Sequence, residues 1–114
     1  MVVAEELSLE TYEIFQDLAG VLELPPSGVM SRVVHEDGIC KVVRIVIAGG
    51  SGLKTHKAPF PGFITFLTGK AIFKVGEKEH PATVGTLVRM DVELHHSVHA
   101  ETTTVLLLTL LKQN

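Results

Sequence analysis

The chain has no tryptophan, one cysteine and no surplus of positive charge, and each shortage removes a class of explanation. With a single thiol, Cys40, no internal disulfide can form, which fits a reducing compartment. Cys40 reads as a buried structural thiol rather than a reactive one. Ten Lys and Arg residues against thirteen Asp and Glu give a net charge of -3, spread without a basic stripe. The electrostatic footprint of a nucleic-acid binder is therefore missing, and no nucleic acid is expected as a partner. The longest apolar run, Val105 to Leu111, is broken by Thr109 and is far shorter than the roughly 20 residues that cross a bilayer, so no membrane is expected either. The start, MVVAEELSLE, turns acidic after three apolar residues and lacks the basic head and apolar stretch of a signal peptide, so a cytoplasmic location is expected.

What is present points to one well-filled β domain. In 114 residues, 46% are apolar and only 20% charged, enough for one core and too few residues for two. The apolar surplus, together with an edge strand around residues 28 to 36 that would expose unpaired backbone, predicts a homodimer. From residue 28 onward the apolar runs are short and rich in β-branched residues: GVMSRVVHEDG, CKVVRIVIAGG, FITFLTGKAIFKVGEKEH, TVGTLVRMDVE and TTTVLLLTLLK. Asp37-Gly38 and Gly76-Glu77 sit where hairpin turns belong, and Thr68-Gly69-Lys70 marks a further turn. This pattern is that of an all-β sandwich or barrel, with a predicted core of Val43, Ile45, Ile47, Ile64, Phe66, Ile72, Val88 and Leu107. Before it, Leu9, Tyr12, Ile14, Phe15 and Leu18 recur as one helical face, which predicts a short helix over residues 8 to 18 ending near Gly20. The whole is expected to form a single domain, with helix and arm over about 1–27 and the barrel over about 28–112.

Six histidines raise the question of a metal. His80 precedes Pro81 in a charged stretch and reads as a solvated loop residue, and His35 lies on the expected edge strand. Residues two apart in a strand share a face and neighbours oppose, so if His96 points inward then His95 and His99 point out. His56 and His96 differ from the others in the glycine frame around each. Gly50, His56, Ala58, Gly62 and Gly69 are spaced as in the pattern G(X)5HXH(X)3-4E(X)6G, and Gly85, Asp91, Glu93, His96 and Ala100 as in G(X)5PXG(X)2H(X)3N.

These are the two cupin motifs, and over about residues 18 to 112 the chain resembles the cupin superfamily. The stretch HKAPFPG is similar to that of small single-domain cupins of the cupin 2 conserved barrel type, with a His-x-Ala-Pro-Phe first motif. The resemblance implies an antiparallel cupin barrel, also called a double-stranded β-helix, jelly roll or RmlC-like fold, with six to eight strands. It also implies a metal held by two histidines and a glutamate of the first motif and one histidine of the second. Only His56 and His96 match: Ala58 and Gly62 replace a histidine and the glutamate, and Asp91 and Glu93 replace the proline and glycine of the second motif. A divalent metal there, Zn, Mn, Fe or Ni, would have an incomplete ligand set and be weakly held. The expected function is binding of a small, anionic or carbonyl-bearing molecule at the barrel mouth, between His56 and His96 and against Ala58, Phe60, Gly62, Ile64 and Phe66. Two alternatives stay open: a metal-dependent isomerase or oxygenase with Glu93 or His95 as an unusual third ligand, and a structural dimeric barrel without a working pocket.

Overall fold

The computed structural model describes residues 11–21, 24–26 and 28–112. Among them are nine strands: β1 (Val29–Glu36), β2 (Cys40–Ile47), β3 (Gly52–His56), β4 (Gly62–Thr68), β5 (Ala71–Val75), β6 (Lys78–Ala82), β7 (Leu87–Met90), β8 (His96–Ala100) and β9 (Thr104–Leu111). They form a five-stranded sheet in the order β1-β2-β9-β4-β7 and a four-stranded sheet in the order β3-β8-β5-β6, and every pairing is antiparallel. The strands exceed the expected six to eight because β3 (GLKTH) and β8 (HSVHA) carry too little apolar signal to stand out as runs in the sequence.

Only two links join neighbours in one sheet, the β1–β2 hairpin at Asp37-Gly38-Ile39 and the β5–β6 hairpin at Gly76-Glu77. The others carry the chain from one sheet to the facing one, which is how a jelly roll winds a single chain around a single core. The turn at Gly69 is of that kind: it takes the chain from β4 to β5 in the opposite sheet. Its φ is +89°, and an added Cβ would press on Thr103 and Thr104, so only glycine can make the crossing there.

The core lies between the sheets. Ile45, Ile47, Ile64, Phe66, Met90 and Leu106 come from the larger sheet, and Ala71, Phe73, Ala82, Val98 and Ala100 from the smaller. Bulky residues thus face a layer containing three alanines, and large side chains interdigitate with small ones. Of the predicted core, Ile45, Ile47, Ile64 and Phe66 are buried, while Val43 and Val88 pack at its margin. Ile72 and Leu107 are corrections: both are only half-buried, and their neighbours Phe73 and Leu106 take the interior positions. One residue of register separates the two faces of a strand.

The helix expected over 8 to 18 is also corrected as far as it can be followed. Residues 8–10 lie outside the described residues, and 11–17 have no regular secondary structure. Tyr12 and Ile14 are exposed, Asp17 takes a left-handed φ of 58°, and Gly20 N–H bonds to the Asp17 carbonyl in a turn. Instead of closing helical turns, the Leu18 and Gly20 carbonyls accept hydrogen bonds from the Arg44 guanidinium of β2. A helix this short has little stability of its own.

Candidate functional site

His56 ends β3 and His96 begins β8, and the two are directly opposite each other in the ladder. Their imidazole centroids are 4.4 Å apart, with the ring planes inclined by 55°. A one-residue β-bulge creates this meeting. Gly52 pairs with His99 and Leu53 with Val98, so an unbroken register would bring Thr55 opposite His96; the shift after Leu53 brings His56 there instead.

The two rings are held by the same device in different surroundings. In each, Nδ1–H donates to the carbonyl two residues back: His56 to Lys54 at 2.7 Å, and His96 to Leu94 at 2.9 Å. A carbonyl only accepts, so Nδ1 carries the proton in both rings and the neutral form presents its lone pair at Nε2. His96 is buried and stacks on Phe73 of β5, centroids 5.7 Å apart, whereas His56 is exposed on the edge strand. Burial pushes the His96 imidazole below its ordinary value of 6.5; nearby His56 and His95 act the same way, and the Leu94 carbonyl opposes them. His96 is therefore neutral at pH 7.

The other predicted site residues divide sharply. Ala58 and Phe60 are half-buried in the loop between β3 and β4. Gly62, Ile64 and Phe66 share the inward face of β4, but Ile64 and Phe66 are 2% and 1% exposed and belong to the core. Gly62, where the glutamate of the first motif would stand, has no room for any side chain: an added Cβ would collide with the Thr109 carbonyl of β9. The residues therefore do not fit the full cupin ligand set. Glu93 and His95 do not complete it, since among the described residues the only convergent group of three His, Cys, Asp or Glu donors is His35, Asp37 and Cys40. Glu93 instead pairs with Lys57 at 3.6 Å, and its N–H bonds to the Ala58 carbonyl, tying the two motifs together at the barrel mouth.

Of the remaining histidines, His95 and His99 are exposed. His80 is exposed as well, although it lies on edge strand β6 and not in a loop. Cys40 is half-buried at the start of β2 rather than enclosed, because its strand ends at the open hairpin. Sequence reasoning missed Phe73, whose alternation in AIFKV could have marked it as facing inward, and the two carbonyls that orient the imidazoles, for which the sequence carries no signal. A hollow of about 590 Å3 lies away from the histidine pair, under the N-terminal arm beside Asp17, Met30, Arg32 and Arg44.

No protein-family model matches the chain, and no curated protein matches it by sequence. Solved structures do. A conserved protein of unknown function from Streptococcus pyogenes superposes with a TM-score of 0.75 at 18% identity, covering 93% of this chain and 92% of that one. A cupin superfamily protein from Desulfitobacterium hafniense gives a TM-score of 0.73 at 12% identity, over 81% and 84% of the two chains. A cupin 2 conserved barrel domain protein from Leptotrichia buccalis gives 0.71 at 24% identity, over 80% of this chain and 44% of that one. The fold is that of the cupins.

Proposed function

We propose that this cupin-fold chain binds a hydroxyl-bearing small molecule at the barrel mouth, accepting its hydrogen bonds at the Nε2 atoms of His56 and His96. The observation that carries the reading is the fixed tautomer of both rings: each Nδ1–H is consumed by a main-chain carbonyl, which leaves each Nε2 unspent. For the buried, neutral His96 this atom can only accept, so a carboxylate or carbonyl oxygen would find no donor there. A hydroxyl or an amine would. This narrows the anionic or carbonyl-bearing ligand that sequence alone suggests. Phe73, stacked on His96, supplies an apolar floor to a site whose outer side, at His56, is open.

The metal-enzyme reading is the weaker one, because two imidazoles supply fewer than the three protein donors a catalytic centre normally requires, and the carboxylate position is sterically shut. The test is mass spectrometry of small molecules co-purifying with the chain, compared between wild type and the His56→Ala/His96→Ala variant, with elemental analysis of both. A hydroxylated compound should be retained by the wild type and fall at least roughly tenfold in the variant, as loss of two good hydrogen bonds implies. An identical complement of compounds in both proteins would overturn the reading. Near-stoichiometric metal that depends on His56 and His96 would replace it with the enzyme alternative.

A further inference from the structure

We propose that the β1–β2 hairpin forms a second site, separate from the histidine pair, that binds a divalent cation of the zinc type through His35, Asp37 and Cys40. One ligand atom from each of the three residues lies within 4.8 Å of the others. In a tetrahedral zinc centre, with bonds of about 2.0 to 2.3 Å, adjacent donors stand roughly 3 to 4 Å apart. Closing the site requires donor movements on the order of 1 Å.

The local structure favours that convergence. A one-residue bulge after Val33 shifts the β1 register and brings His35 opposite Val42, next to the turn. Asp37 caps the turn with one oxygen only: Oδ1 accepts from the N–H groups of Ile39 and Cys40, at 2.8 and 2.9 Å. Its second oxygen, Oδ2, is not needed for the turn and faces His35 Nε2 at 2.8 Å. These three hydrogen bonds hold the Asp37 carboxylate in place between the turn and the His35 ring. On the far side of the ring, the Glu13 carboxylate stands 3.8 Å from His35 Nδ1. In the metal-free chain it is Nε2–H that donates to Asp37, so metal binding moves the ring proton to Nδ1, the nitrogen that faces Glu13.

The donor chemistry selects the ion. One sulfur, one imidazole nitrogen and one carboxylate oxygen suit zinc and its cobalt surrogate, and are a poor set for magnesium or calcium, which take oxygen ligands. As the metal binds, the Cys40 thiol gives its proton to solvent, and the His35 Nε2–H bond to Asp37 is given up: Nε2 loses its proton to solvent and binds the metal while Nδ1 takes one up, so the ring stays neutral. Water completes the shell. The partial exposure of His35 and Asp37 leaves an open path for the ion.

Cobalt(II) titration of the full chain under a non-chelating reductant tests this, performed in the His56→Ala/His96→Ala background so that the barrel-mouth pair cannot contribute. A thiolate-to-cobalt charge-transfer band should appear and saturate. It should vanish in Cys40→Ser, a near-isosteric change at a half-buried position, and binding should weaken at least roughly tenfold in Glu13→Gln, where only the orienting carboxylate is altered. Far-ultraviolet circular dichroism checks that each variant is folded. Absence of the band at millimolar cobalt in the background protein, which needs no hairpin variant at all, would overturn the proposal. So would a band that persists in folded Cys40→Ser.

Discussion

Two positions at the barrel mouth have exchanged residues relative to the cupin motifs. Gly62 stands where a glutamate would be, and Glu93 where a glycine would be. The backbone has answered the two substitutions differently. At Gly62 it leaves no space for a side chain, since the Thr109 carbonyl of β9 occupies the place of any Cβ. At Glu93 it retains a glycine-like shape, with φ at 65° in the third position of the turn closed by the Leu94 N–H to Asp91 carbonyl bond. Packing thus excludes a carboxylate at the first position, whereas a side chain at the second is borne as local strain. The altered ligand set is part of the packed structure at the first position and only a surface substitution at the second.

Restoring each motif residue should sharpen this contrast. Gly62→Glu is expected to have the larger effect: it pushes a side chain against main chain that cannot rotate away, in a strand paired on both sides with Met90 of β7 and Leu110 of β9. Overpacking of this kind costs about 1 to 3 kcal/mol and at times more, and here the upper end is expected. Urea unfolding should show it as a lowered midpoint, and the variant should gain no metal that the wild type lacks. A variant as stable as wild type would mean that β9 yields easily and that the site is open to repair.

Between these two positions in expected effect lies His96, the buried member of the pair. Its folded-state value is depressed below 6.5, so between that lowered value and 6.5 the unfolded chain binds more protons than the folded one. Stability from this residue is fully present above pH 6.5 and is lost as the pH falls through the folded value. Denaturant midpoints measured from pH 7.5 down to pH 4.5 should fall more steeply for wild type than for His96→Gln. Equal slopes would show that the ring does not pay a desolvation cost on charging, and with it would go the argument that His96 Nε2 is purely an acceptor at neutral pH.

The legible parts of this protein are those with strong local rules. Gly69 could be read as a turn from its residue type between two strand-like runs, and His56 and His96 could be paired because their glycine frames resemble the two cupin motifs, a resemblance that implies a shared site. Ile72 and Leu107 could not be assigned to the correct face. The run TVLLLTLL is apolar on both sides, since Leu107 faces Arg44 and Thr65 across the outer surface while Leu106 enters the core, and a period of two has nothing to report in such a run. The bulges before His56 and His35 were also invisible, because a bulge is a property of two strands and neither sequence alone encodes it. Both histidine clusters depend on those bulges. Whether a strand histidine meets a partner was therefore decided one level above the motif that made it noticeable.

Glu93→Gly should have the smallest effect and the opposite sign. A left-handed residue with a side chain costs roughly 1 to 2 kcal/mol relative to glycine. Two losses offset part of the gain: glycine gives the unfolded chain more freedom, worth roughly 0.5 to 1 kcal/mol, and the exposed Lys57–Glu93 pair disappears, worth at most about 1 kcal/mol and screened by salt. A net stabilisation on the order of 0.5 kcal/mol, or about 2 °C in Tm, is expected at moderate ionic strength. Glu93→Ala separates the terms, because alanine also loses the ion pair but keeps the Cβ that strains the turn. Calorimetry should rank the glycine variant above wild type and wild type above the alanine variant. If alanine proved as stable as glycine, the turn would hold no strain, and the contrast between a position closed by packing and one that is strained would fail at its weaker end.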